Sequence, residues 1–276
     1  PGRALTRFAA WQLRSRLATG PVVHHWLAPA KFLARAGETG LTGNIYTGLH
    51  EFPEMGFVLH FLRPTDLFVD VGANVGSYTL LACAAVGARG IAFEPVPETY
   101  RRLQANMALN HLTCVHCINQ AVGAQAGQLQ FTRDRDTTNH VLAVDEWGAA
   151  TLTVPITTLD IALANEMPIL LKIDVEGYET PVLEGGLQTL AQPGLLALIL
   201  ELNGSGQRYG FDEAKILAKL IAHGFQPYHY QPLQRELVPL QGKNLNSGNT
   251  LFLRNLALVQ ARLASAPRWQ LHGHDF

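Results

Sequence analysis

Apolar positions in this chain fall into two alternating patterns. Short, nearly uninterrupted apolar runs recur at LFVDVG (Leu67–Gly72), GIAFEPV (Gly90–Val96), CVHCINQAVG (Cys114–Gly123), ILLKIDVEG (Ile169–Gly177) and LLALILELN (Leu195–Asn203). Between and after them lie SYTLLACAAVG, PETYRRLQANMALN, TPVLEGGLQTLAQ and DEAKILAKLIAHG, whose apolar residues repeat every three or four positions. The first pattern fits strands buried on both faces and the second the helices that cover them. The spacing therefore predicts a doubly wound, Rossmann-like α/β fold with a mostly parallel sheet. FQPYHYQ and NTLFLRN have no helical pattern between them, so they are expected to pair as an antiparallel hairpin at one edge.

Ahead of this pattern, RALTRFAAWQLRSRL and PVVHHWLAPAKFLARAG carry helical spacing and no strand alternation. Residues 1–50 are read as an N-terminal helical extension, 51–256 as the α/β domain and 257–276 as a C-terminal tail. Within the domain, GFVLHFLRPTD supplies a short helix that stops at Arg63-Pro64. The stretch from Asp134 to Ala150 has no clear period and is the candidate for a substrate-gating loop.

Composition adds constraints. With 276 residues, 47% of them apolar and 16% charged, the chain has material for one large core plus an extension. A formal net charge of −1 leaves no footprint for a polyanion, so no nucleic-acid partner is expected. No apolar run reaches the ~18 residues of a membrane span, and the opening residues lack a signal core, which together predict a cytoplasmic protein. The Arg-bearing first helix is expected to pack on the domain or on a partner subunit, in preference to a membrane surface; a homo-oligomer through these helices is left open, with the oligomeric state unassigned. Three cysteines argue against a disulfide framework, and Cys114 and Cys117 read as buried strand residues rather than a redox or zinc pair. His24, His25 and His140 have no metal-binding spacing and read as surface or loop residues.

The candidate chemistry begins at Gly72-Ala73-Asn74-Val75-Gly76, the turn after the first domain strand, where an open α/β sheet binds its ligand. A dinucleotide site wants glycine where Asn74 stands, so that a pyrophosphate can approach the backbone. Glu94, at the end of the next strand, is placed to accept from both hydroxyls of a ribose. A nucleoside without a pyrophosphate fits, and S-adenosylmethionine is the expected cosubstrate. Asp70 suits its ammonium, amides near a helix N-terminus suit its carboxylate, and Gly72 and Gly76 keep the approach open. Ala73, Ser77 and Pro95 complete the expected contacts, with Gln120 and Ala121 placed near the adenine by position.

A second group follows in LKIDVEGYE. If the strand continues, Lys172, Asp174 and Glu176 point to one face, and Glu201 and Asn203 at the end of the adjacent strand face them. Methyl transfer to an acceptor that carries a proton needs alignment and a proton acceptor. Asp174 is the first choice for that base and Glu176 the second, with Lys172 pairing to a carboxylate. No resident metal is assigned, although a divalent cation on Asp174, Glu201 and Asn203 is kept as the alternative. Tyr78 and Tyr178 are read as packing residues in preference to contacts with the sulfonium.

DVGANVGSYTLLA, FEPVPETYRRLQANMALN and LLKIDVEGYETPVLEGG together resemble the FkbM family of S-adenosylmethionine-dependent methyltransferases, over about Glu51 to Tyr230. The resemblance implies a class I methyltransferase fold for 51–256 and O-methylation of sugars, glycan units or natural products. It marks Asp70, Gly72, Asn74 and Gly76 as cofactor-loop positions, Glu94 as the ribose ligand, and Asp174, Glu176, Gly177 and Glu179 as the family hallmark. The acceptor is thus expected to be a small molecule or a glycan. Two readings stay open beside it: a nicotinamide-dependent oxidoreductase, which would want glycine at Asn74, and a non-catalytic nucleoside-binding module, which would need no Lys172–Glu176 cluster.

Overall fold

Asp70 is the one polar residue of Leu67–Val71, and a strand apolar on both faces must lie inside a sheet. In the computed structural model this segment is an inner strand of an eight-stranded sheet. The structure describes residues 2–36, 41–132, 139–143 and 150–276. In chain order, α1 (Gly2–Leu17), β1 (Val22–His25), β2 (Lys31–Ala34), α2 (Thr42–Thr47) and α3 (Phe52–Phe61) precede that strand, β3 (Leu67–Val71). After it come α4 (Ser77–Leu80), β4 (Arg89–Phe93), α5 (Pro97–Leu109) and β5 (Val115–Ile118). Then β6 (Ala121–Val122), β7 (Gly127–Thr132) and β8 (Thr151–Thr157) form a small sheet of their own in the order β6-β8-β7. The chain re-enters the main sheet with α6 (Leu159–Ala162), β9 (Leu170–Ile173), α7 (Glu179–Glu184), α8 (Leu187–Ala191), β10 (Ala197–Glu201) and α9 (Glu213–Ala222). It closes with β11 (Gln226–Gln231), β12 (Glu236–Pro239), β13 (Asn249–Leu253), α10 (Leu256–Ala264), β14 (Gln270–Leu271) and β15 (His274–Asp275).

The main sheet runs β12-β11-β13-β10-β9-β3-β4-β5, with β10 through β5 parallel, as the apolar runs predicted. Alternation along the strands divides the core. Val69, Val71, Leu171, Ile173, Leu198 and Leu200 face α7, α8 and α9, while Phe68, Leu170, Ala197 and Ile199 face α3 and α10. Chain order reverses beside β3, which lies between β4 and β9, and this fixes the carboxyl ends of those strands as the place for a ligand. The antiparallel pair expected at the edge is present as β11 and β13, with β12 added outside it and β13 set against β10.

Several expectations are corrected. Residues 1–50 are not wholly helical, because β1 and β2 form an antiparallel hairpin. Pro21 and Pro29 bracket the β-branched Val22-Val23, and β2 alternates strictly, with Phe32 and Ala34 buried and Lys31 and Leu33 half-buried. A half-exposed leucine hid that alternation. The outer edge of β2 is satisfied by side chains of α5 and of the residue that ends it: Asn106 Oδ1 accepts from Leu33 N at 2.8 Å and Asn110 Oδ1 accepts from Lys31 N at 2.8 Å. Residues 257–276 are not a tail. Val259, Leu263 and Phe276 join the core, and Trp269 Nε1 donates to Leu59 O at 3.1 Å. The helix before β3 starts at Phe52, earlier than its apolar run implied. Cys114 is exposed and Cys117 half-buried because β5 is the outer strand, and His140 is buried, its amide donating to Thr132 Oγ1 at 3.0 Å. Most of the expected gating loop, residues 134–138 and 144–149, lies outside the described residues.

Asn106 joins three elements, since its Nδ2 also donates to Val75 O at 2.7 Å while the residue is fully buried. Asn106→Ala leaves the Leu33 amide and the Val75 carbonyl unpaired, and should lower unfolding free energy by about 2–4 kcal/mol. Urea denaturation followed by circular dichroism measures this, and a loss under about 1 kcal/mol would contradict the bridging role.

Candidate functional site

A cavity of about 330 Å³ opens at the carboxyl ends of β3, β4, β9 and β10. Its first wall is the turn after β3. Gly72 N and Ala73 N both donate to Phe93 O, at 3.1 and 2.9 Å, which folds the turn back over β4. Gly72 has φ +81°, and a Cβ there would sit 1.9 Å from the carbonyl oxygen of Asp174. The missing side chain therefore lets the loop after β9 close against the turn, rather than only admitting a ligand. Asn74 is left-handed at φ +52°, with its side-chain oxygen accepting from Val75 N at 2.8 Å. Glu94 locks this shape: its Oε2 accepts from Asn74 N at 3.0 Å and its Oε1 from Val96 N at 2.9 Å. Burial pushes the Glu94 carboxyl up to about 7 against the pull of those two amides.

Asp70, Gly72, Ala73, Asn74, Ser77, Glu94, Pro95, Gln120 and Ala121 all line this cavity. Gly76 does not. A Cβ on Gly76 would lie 2.8 Å from Leu103 and 3.0 Å from Met107, so this glycine, at φ +96°, serves the packing of the turn on α5. Asp70 is fully buried; its Oδ2 accepts from Thr79 Oγ1 at 2.6 Å, while its Oδ1 has no hydrogen-bond partner. Burial raises its pKa and the Lys172 charge opposes the rise. A buried acceptor left unpaired on a cavity wall is costly unless a ligand donates to it. Val96, Phe131 and Val141 give the Gln120 end an apolar lining that sequence reasoning missed.

The opposite wall is ionic. Register places Lys172 beside Asp70 on the adjacent strand. Lys172 is buried, with Nζ 2.7 Å from Asp174 Oδ2 and 4.7 Å from the centre of the Tyr78 ring. Tyr78 donates to Glu51 Oε2 at 2.7 Å, and Asn249 Nδ2 donates to Glu51 Oε1 at 2.6 Å. Burial disfavours the ammonium, but Asp174, Asp70 and Glu51 outweigh it and hold the lysine pKa above its ordinary value. Carboxylate oxygens of Asp174, Glu176 and Glu201 lie within 4.8 Å of one another. β9 ends at Ile173, so Glu176 enters by a left-handed backbone at φ +55° and not by the strand pleat that the spacing implied. Burial, then the Asp174 charge, pushes Glu176 up to about 7; burial, then the charges of Asp174 and Glu176, raises Glu201 as well.

Asn203 does not join this group. It is exposed, and its Oδ1 accepts from Ser205 N at 2.8 Å. Glu179 is buried behind the loop, where its Oε1 accepts from Val175 N at 3.1 Å and Gly177 N at 3.2 Å, bracing the segment that carries Asp174 and Glu176. Tyr178 lines the cavity and packs edge-on against Tyr209, with ring centres 5.5 Å apart. His50 and Glu51 also line it, and sequence reasoning passed over both. The available signal was an acidic residue immediately before an apolar helix with no exposed face.

The sequence model of the family described as Methyltransferase FkbM domain matches residues 70–227. The chain is similar to "Hexuronic acid methyltransferase AglP" of Haloferax volcanii, at 29% identity over 122 residues, covering 44% of this chain and 49% of that protein. It is also similar to "Methyltransferase 1" of Beauveria bassiana, at 31% identity over 148 residues, covering 44% of this chain and 59% of that protein. It thus spans about half the length of the curated relatives it matches. Among solved structures, the precorrin-6y C5,15-methyltransferase of Geobacter metallireducens matches with a TM-score of 0.41 and 11% identity, over 73% of this chain and 87% of that one.

Because a Cβ on Gly72 would strike the Asp174 carbonyl, Gly72→Ala should cost more than about 2 kcal/mol, combining the strain of positive φ with displacement of the loop. A thermal melt checks it. An unchanged midpoint would show that the turn and the loop do not brace one another.

Proposed function

We propose that this chain, which belongs to the FkbM methyltransferase family, transfers the methyl group of S-adenosylmethionine to a hydroxyl of an uncharged glycan or natural-product acceptor. The observation that carries the reading is the meeting, in one cavity, of a glycine turn braced by Glu94 with a carboxylate cluster at its far end. S-adenosylmethionine would supply a methyl carbon that an acceptor oxygen attacks in line, with S-adenosylhomocysteine as the leaving group. Glu94 is the partner for the ribose hydroxyls, since each of its oxygens keeps acceptor capacity beyond the one amide it binds. The unpaired Asp70 Oδ1 suits the amino acid ammonium, and the Gln120 end suits an adenine.

Lys172 holds one oxygen of Asp174, so Asp174 orients the acceptor hydroxyl while Glu176 takes its proton. Among the described residues the Glu176 carboxylate has no hydrogen bond, and a carboxyl near 7 is matched to base catalysis at neutral pH. The three-carboxylate spacing would also suit a divalent cation, but the Lys172 ammonium in contact with Asp174 would repel it, and Asn203 faces elsewhere. Direct base catalysis is therefore preferred.

The name of the Haloferax relative includes hexuronic acid, an anionic acceptor. Here Glu51, Asp174, Glu176 and Glu201 line the same end as Lys172, which favours an uncharged sugar whose hydroxyls donate to them and whose ring rests on Tyr178. A nicotinamide enzyme is disfavoured because the Asn74 side chain fills the turn, and a non-catalytic module would have no use for the carboxylate cluster. Among the described residues no helix is long and apolar enough to cross a membrane, and the three free cysteines suit a cytoplasmic setting.

Incubation with labelled S-adenosylmethionine and a panel of neutral, amino and uronic sugars tests the function, with methyl incorporation into a neutral acceptor expected. Glu176→Gln should lower kcat by about 10²–10⁴-fold while leaving affinity for S-adenosylhomocysteine within about threefold. Wild-type kcat/KM should rise with pH and level off above about 7, the ionised carboxylate being the active form, and the variant should lose that limb. Activity should survive exhaustive chelation. A fully active Glu176→Gln would defeat the base assignment, and activity restored only by added Mg²⁺ would replace it with a metal.

A further inference from the structure

We infer that α1 is a peripheral anchor for an anionic lipid bilayer surface, independent of the methyl-transfer reading. Its inward face is fixed. Trp11 and Ser15 are buried, Arg7 donates from Nη2 to Tyr46 O on α2 at 2.7 Å, and the Phe8 ring meets Tyr46 edge-on at 5.2 Å. That leaves Leu5, Ala9, Leu13 and Leu17 as a row at four-residue spacing on the outer side, with the leucines 68%, 64% and 75% exposed. No other helix among the described residues presents three large apolar side chains so exposed. Scattered apolar surface needs no explanation, whereas a continuous row on a helix does.

Charge identifies the occupant. From residue 1 to 37 the chain carries Arg3, Arg7, Arg14, Arg16, Lys31 and Arg35 and no aspartate or glutamate. The whole chain is nearly neutral at −1, so the balancing acid lies elsewhere. Arg14 and Arg16 sit in the last turn of α1, are exposed, and form no ion pair among the described residues. The patch continues off the helix: Arg14 lies in the electrostatic reach of His24, and Arg7 in that of His272. A leucine row flanked by arginines matches the boundary between headgroups and acyl chains of an anionic leaflet. A second copy fits less well, because an α1 set against its twin would bring arginines together with no acid to meet them. A nucleic acid would engage the arginines but leave the leucines in water.

The test is flotation of the whole chain with vesicles of phosphatidylcholine alone or with about 30% phosphatidylserine. Binding to the anionic vesicles only is expected, falling sharply at about 0.5 M salt. Leu13→Glu with Leu17→Glu, and separately Arg14→Gln with Arg16→Gln, should each weaken binding at least about tenfold with an unchanged melting curve. Failure of the wild-type chain to float with anionic vesicles at low salt overturns the inference. So does a leucine variant that binds vesicles as wild type does, which would mark a general polyanion site. A concentration-dependent dimer in light scattering that Leu13→Glu disrupts would assign the row to a second copy instead.

Discussion

The buried ammonium of Lys172 is the constraint from which the site is built. An amine removed from water inside a parallel sheet must be neutralised where it stands, and here Asp174 does so by direct contact while Asp70 and Glu51 add their charge. Each of those carboxylates belongs to a different part of the chain: β3, the segment after β9, and the connection entering α3. The lysine thus pins the glycine turn, the hallmark loop and the N-terminal connection to one point. Tyr78 extends the arrangement by lying under the ammonium while its hydroxyl fixes Glu51. Removing one member of such a set leaves a buried charge uncompensated, at a cost of about 3–5 kcal/mol, which is why the geometry is held without slack.

A second contact makes the two walls of the cavity a single unit. The Asp174 carbonyl fills the space that any side chain at position 72 would occupy, so the turn and the loop after β9 cannot move apart independently. Glu94 holds the turn to β4, and Glu179 holds the loop from behind. Between these braces sit two non-glycine residues in left-handed conformation, Asn74 and Glu176. That conformation is unfavourable for both and persists only because neighbours impose it. The strain thus falls where an orientation is wanted: an amide turned to Glu94, and a carboxylate turned to Asp174 and Glu201.

Much of this was legible in the chain. The doubly wound sheet follows from its apolar runs, and the placement of Asp70, Glu94 and Asp174 in one cavity follows from their positions at strand ends. What escaped depended on register or on backbone conformation. Spacing of two put Lys172, Asp174 and Glu176 on one face, but the strand stops at Ile173 and Glu176 arrives by a different route. The same extrapolation carried Asn203 into the cluster, whereas the chain turns away after β10 and Asn203 caps that turn. β2 was hidden because Leu33 is apolar and yet half-exposed, so helical and strand templates matched its run equally. Glu51 offered only its place before an apolar helix, since its partners Tyr78 and Asn249 are distant in sequence.

Net charge was the least informative number in the sequence. A total of −1 correctly describes the sum and conceals its distribution. The first thirty-seven residues are purely basic, whereas the ligand cavity collects Asp70, Glu51, Asp174, Glu176 and Glu201 around one lysine. Fields depend on where charges lie, and at physiological salt they persist for only about 8 Å. Two regions of opposite sign can therefore act on different ligands with little mutual cancellation. The cavity end thus gathers carboxylates inside the fold, while the outer helix presents only basic charge. A chain that is neutral on average is in this case polarised, and the sum hides it.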